Sequence, residues 1–142
     1  MIKFSEIDTL VRAEPGVYEI HTLAGVALKV GIARDLRSRL RGHRASRQSG
    51  LRGLSADPLA VPSPEHVTSK SSILAKHLFF DLAIAPGYDL RTEAGRRSFL
   101  AEKCRVYVEY CVTREAARAI ERDREASGPY RYVGRVQVRD AR

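Results

Sequence analysis

Apolar positions change period along this chain, and each change marks an element. From Val17 to Ile20 and from Val26 to Ile32 they alternate imperfectly, as in strands with one covered face. This predicts strands at about 17–22 and 26–32. Pro15-Gly16 opens the stretch, and Leu23 to Gly25 read as a tight connection, so the pair reads as a β-hairpin. Asp35 then caps a helix over about 36–45, with Leu36 and Leu40 on its inner face. His43 projects almost in line with Leu36, and Arg39 lies beside it at i, i+4 spacing. Arg37 and Arg44 flank the other edge of the stripe, and Arg41 points furthest out.

The remaining pattern predicts four more helices and one more long strand. Ser5 to Val11 read as a short amphipathic helix with Ser5 as N-cap and Asp8 near its positive end. Residues 46 to 68, rich in Gly, Pro and Ser, read as a loop. Ser69 to Ala85 are the most hydrophobic segment and read as a core helix, with Ile73, Leu74, Leu78, Phe79, Leu82 and Ile84 inward. His77 within it reads as a structural histidine. Thr92 caps a helix to about Glu102. Arg105 to Thr113 alternate as the third strand, and Arg114 to Ala126 form the last helix, with Ala116, Ala117 and Ile120 inward. The tail from Tyr130 reads as an irregular turn with a short strand. The fold class expected is α+β: a three-stranded antiparallel sheet flanked by helices, with a helical insertion between the first helix of the core and the third strand. No linker or repeat interrupts it, so residues 1–142 read as a single domain.

Charge changes this picture. Lys and Arg number 25 against 17 acids, a net charge of +8 that suits a polyanionic partner. Between Arg34 and Arg52 there are seven arginines and a single acid, Asp35. Such a block repels itself unless something negative sits there. Arg34, Arg37, Arg41, Arg44, Arg47 and Arg52 are therefore the expected nucleic-acid contacts. No apolar run is long enough to cross a bilayer, and the N-terminal residues lack a secretory pattern, so a cytoplasmic protein is expected. Cys104 and Cys111 lie on one predicted strand an odd number of residues apart, so they point to opposite faces and do not suit a bridge, and no Cys/His cluster has zinc spacing.

Gly16-Val17-Tyr18, then a ten-residue spacer, then Lys29-Val30-Gly31, followed by Arg39 and His43 at helical spacing, resembles the GIY-YIG nuclease superfamily. Glu121, on a helix after the third strand, is similar to that family's metal-binding glutamate. The resemblance covers about 15–45 and 104–126 and leaves 46–103 as an insertion. It implies a Mg²⁺- or Mn²⁺-dependent endonuclease acting on DNA, with RNA left open, that leaves a 5′-phosphate and a 3′-hydroxyl. Its implied catalytic residues are Tyr18, Lys29, Arg39, His43 and Glu121, with Glu121 on the metal. Two departures stand out. Lys29 occupies the place of a tyrosine, and the chain has no asparagine where the family often carries one. Gln137 or the hydroxyls of Tyr130 and Tyr132 are the groups available to replace it. A binding module of the same fold that has lost catalysis is the second reading.

These residue types suit phosphodiester hydrolysis on chemical grounds. A single carboxylate holds a largely hydrated Mg²⁺, and an arginine pairs with phosphate in a fork that lysine cannot copy. Tyr18 accepts a water proton only if nearby cations lower its pKa. Lys29 supplies such a cation, or acts as base itself if desolvated. His43 relays a proton or binds phosphate. Each residue also has an ordinary role open to it: Tyr18 as a strand aromatic, Lys29 as a solvated strand residue, Arg39 in a helix ion pair, His43 at a helix C-terminus, and Glu121 paired with Arg118, Arg122 or Arg124.

Overall fold

A computed structural model describes residues 1–52, 68–69, 72–133 and 137–138, with the backbone alone at 50, 52, 68–69 and 137–138. Two strands form the expected hairpin, β1 (Gly16–Thr22) and β2 (Ala27–Ala33). Gly25, at φ 91°, supplies the left-handed residue that its turn requires, and the Thr22 hydroxyl accepts from the Val26 N–H. The third strand of the sheet comes late in the chain. The elements between are α2 (Leu36–Ala45), the two-residue strands β3 (Leu51–Arg52) and β4 (Thr68–Ser69), α3 (Ile73–Phe80) and α4 (Glu93–Lys103). Then come β5 (Cys104–Tyr110), α5 (Arg114–Ser127) and the short strands β6 (Tyr132–Val133) and β7 (Gln137–Val138). A 3₁₀ turn (Phe4–Glu6) leading into α1 (Ile7–Leu10) starts the chain. The main sheet is antiparallel in the order β2-β1-β5, so the architecture is α+β, with a three-stranded antiparallel sheet and five α-helices among the described residues. Among the described residues no helix is long and apolar enough to cross a membrane.

Both faces of the sheet are covered. On one, Tyr18, Ile20, Leu28, Cys104 and Val106 pack with Phe4 and Ile7, with Leu36 and Leu40 of α2, Leu74 and Leu78 of α3, and Phe99 and Leu100 of α4. On the other, Val17, Ala27 and Val30 pack against Ala117 of α5 and Tyr130. Leu28 and Val30, two residues apart, enter different clusters, which strict alternation forbids. The cause is a β-bulge: Ile20 pairs with Lys29 but His21 with Ala27, leaving Leu28 as the extra residue.

Three expectations are corrected here. The predicted helix 69–85 is shorter, running from an N-cap at Ser72 to Asp81. Its C-terminal end is set by the Asp81 carboxylate, which accepts from the N–H groups of Ala83 and Ile84 and turns the chain away. Leu82, expected inward, is therefore 81% exposed. Ser5 is not an N-cap; the first turn is closed by Glu6, which accepts from the Lys3 N–H. The third strand ends at Tyr110, and both cysteines are free, as expected. Of the predicted loop, 53–67 lie outside the described residues, as do 134–136 and 139–142 of the tail.

Asp81 also anchors the end of the chain. Its side chain, 3% exposed, accepts from Arg131 Nε at 2.6 Å and Nη2 at 3.0 Å, and from the Tyr132 hydroxyl at 2.8 Å. Burial raises its pKa, but these bonds outweigh burial and hold it below the ordinary 3.8. A depressed carboxylate stabilises the fold above its unfolded pKa, and that contribution is lost as pH falls through the folded value. Asp81→Ala should therefore cost roughly 3 kcal/mol near neutral pH. In urea titrations the gap between wild type and variant should close only below about pH 4.

Candidate active site at the edge of the hairpin

Tyr18, at the middle of β1, lies opposite Gly31 of β2 and Val108 of β5. A Cβ at Gly31 would overlap the Tyr18 hydroxyl and ring carbons, so only glycine lets the ring lie flat across β2. The phenol, 3% exposed, then reaches α2, where its oxygen is 2.7 Å from His43 Nε2. The other ring nitrogen, Nδ1, is 2.7 Å from the hydroxyl of Ser72. Ser72 in turn accepts from the Ala75 N–H as the N-cap of α3. A buried chain of polar contacts thus joins the hairpin, α2 and α3.

Burial sets the protonation of this chain. It holds His43 neutral, with its pKa lowered from 6.5 to about 3, and the Lys29 and Arg39 charges push the same way. It raises the Tyr18 pKa well above 10, against the pull of Arg39 and with the push of Glu121. The expectation that neighbouring cations would lower this pKa is corrected, because desolvation is the larger effect. His43 is also no helix-end cation and no ligand for phosphate, since both ring nitrogens face protein partners.

Lys29 sits in the edge strand β2 at 9% exposure. Desolvation lowers its pKa, Glu121 and Glu125 of α5 oppose the shift, and Arg39 adds to it. Glu121 is half-buried, and desolvation raises its pKa while Lys29, Arg118 and Arg114 oppose the rise. Lys29 is therefore within electrostatic reach of both Glu121 and Arg39, and Tyr18 of Arg39 and Glu121, with no ion pair within 4.0 Å joining these charged groups among the described residues. Arg124, one of the ion-pair partners open to Glu121 in the sequence, is bound instead to Glu19 and Glu109.

Arg39 is exposed on α2 and lines a cavity of about 610 Å³ together with Ile32, Arg34, Ser38 and Arg114. Of the other expected nucleic-acid contacts, three are engaged within the fold. Arg37 donates to the Val11 carbonyl, while Arg41 and Arg44 both bind Asp8 of α1. Asp8 is the negative group that the one-signed block requires, and Arg41 faces α1 rather than pointing furthest out. Arg47 is exposed, and the side chain of Arg52 lies outside the described residues. The stand-ins for asparagine are engaged elsewhere: the Tyr130 hydroxyl donates to Glu19 and the Tyr132 hydroxyl to Asp81, while the Gln137 side chain lies outside the described residues. His77 is structural, stacked on Tyr132.

Sequence reasoning missed Ser72 and Arg114. Ser72 carries a readable signal as a cap before an apolar run, but its contact with His43 is tertiary. Arg114 opens α5, where a helix dipole disfavours a cation. Among the described residues no group of three or more His, Cys, Asp or Glu side chains is placed to hold a metal. Comparison with protein-family models, with curated proteins and with solved structures gave no match.

Two measurements test this geometry. Gly31→Ala should destabilise the protein by roughly 1–3 kcal/mol in urea, and much less in a Tyr18→Ala background, because the clash is with that ring. The His43 ring signals should stay those of the neutral imidazole down to about pH 4 by NMR. Since the unfolded chain binds this proton below about 6.5 and the folded chain does not, stability should fall as pH drops from there toward 3.

Proposed function

We propose that this chain is a cytoplasmic endonuclease that hydrolyses DNA phosphodiester bonds by a one-metal mechanism, as its resemblance to the GIY-YIG superfamily implies. The observation that carries the reading is that Lys29 of β2 lies within electrostatic reach of both Arg39 of α2 and Glu121 of α5, beside a cavity that Arg39 lines with Arg34 and Arg114. Separate elements have little structural reason to bring a desolvated amine, a carboxylate and an exposed guanidinium together, and perturbed groups cluster at functional sites.

Arg39 would take the phosphoryl oxygens in its fork. Lys29, whose pKa burial lowers, is the better base than Tyr18, whose pKa burial raises. Its neutral amine would accept a proton as the water oxygen bonds to phosphorus. The bond from phosphorus to the 3′-oxygen breaks, and that oxygen takes a proton from solvent. Tyr18 and His43 would hold α2, and hence Arg39, against the hairpin. Glu121 suits Mg²⁺ or Mn²⁺ only as a largely hydrated ion on one carboxylate, and a cation there would offset the desolvation that raises its pKa. When bound, the ion supplies charge neutralisation at the phosphoryl and leaving oxygens.

The second reading, a binding module without catalysis, draws on the Tyr18 hydroxyl being taken up by His43 in the interior. Plasmid nicking separates the two. Wild type with Mg²⁺ should produce ends bearing 5′-phosphate, and Glu121→Ala or Arg39→Ala should slow the single-turnover rate by roughly a hundredfold or more. Salt-dependent DNA binding with equal, background nicking by all three proteins would leave the binding module.

A further inference from the structure

The arginines of this chain divide into those the fold uses and those it leaves open. Arg12, Arg37, Arg41, Arg44, Arg96, Arg97, Arg124 and Arg131 each bind a carboxylate or a carbonyl of the chain. Arg34, Arg39 and Arg114 are exposed and make no side-chain hydrogen bond or ion pair among the described residues, yet all three line one concave cavity. Like charges gathered in a cleft repel, and the low-dielectric walls intensify the field. The lining holds one carboxylate, Asp35, whose Oδ1 accepts from the Ser38 N–H as the cap of α2, so three guanidinium groups share a single negative charge. Arg114 occupies the first turn of the fourteen-residue α5, where the dipole makes a cation unfavourable by about 0.3–1 kcal/mol. An anion in the cavity would relieve both costs.

Position adds to composition. Arg114 lines the cavity with Arg39 and also acts electrostatically on Glu121, two turns further along α5. The cavity therefore shares Arg39 with the candidate site and lies within electrostatic reach of Glu121 through Arg114. We propose that it is a phosphodiester-binding subsite, in which Arg34 and Arg114 hold backbone phosphate next to the one Arg39 engages. The placement beside a scissile phosphate rests on the nuclease reading above; the anion subsite itself does not. Guanidinium forks fit phosphate bidentately, and backbone contacts of this kind set register without reading bases.

Binding of a short labelled DNA duplex, measured in EDTA across a salt series, tests the subsite without catalysis. Arg34→Ala and Arg114→Ala should each weaken binding about three- to tenfold at ~0.1 M salt and flatten the log K against log salt slope by about 1. Arg12→Ala removes the same charge from a site paired with Glu14 and should leave the slope nearly unchanged. With Mg²⁺ present, Arg34→Ala and Arg114→Ala should each need a higher protein concentration than wild type for half-maximal single-turnover cleavage. Slopes unchanged in both cavity variants, or lowered as much by Arg12→Ala, would overturn the subsite. Wild type that binds with the expected slopes but never cleaves would overturn the nuclease reading and leave the subsite standing.

Discussion

The absence of a side chain at Gly31 is the constraint on which the site depends. Through it the Tyr18 ring crosses β2 and its hydroxyl meets His43. His43 then engages Ser72, so one line of polar atoms runs from the sheet through α2 to the start of α3. Each group in that line is buried, where an unpaired polar atom is costly, so the contacts are made together or not at all. This fixes the rotation of α2 about its axis. Arg39, one turn before His43, is thereby held on the cavity side, while Arg41 and Arg44 meet Asp8.

Charge in this molecule is thus more ordered than a net value of +8 conveys. Much of the arginine block is consumed in fastening α1 to α2. What is left for an external anion is small and local. Exposed pairs such as Arg41–Asp8 contribute little stability, but they settle which guanidinium groups stay free.

The hairpin, α2, β5 and α5 were legible because each has a clear period bounded by Pro, Gly or a capping residue. Errors fell where a distant partner decides. Nothing near Asp81 in sequence announces that the carboxylate that turns the chain at the end of α3 also holds Arg131 and Tyr132. Nothing near Arg41 announces Asp8. The residues of the candidate site could be named from spacing and family resemblance, but the protonation of Tyr18 could not. The neighbouring cation Arg39 argues for a lower pKa, and the depth of burial, with Glu121 adding to it, reverses the sign. The Tyr18–Gly31 pairing was hidden for a related reason: the bulge at Leu28 shifts the register by one residue, so counting outward from the turn gives the wrong partner.

The edge of β2 has one further consequence. An outer strand offers its unpaired carbonyls and amides to any other chain that comes near. Here the Arg131 N–H donates to the Ala27 carbonyl, and Tyr130 packs beside it. The Asp81 contacts with Arg131 and Tyr132 keep that cover in place. A few residues near the carboxyl end therefore do for this small sheet what closure does for a barrel: they blunt an open margin against self-association.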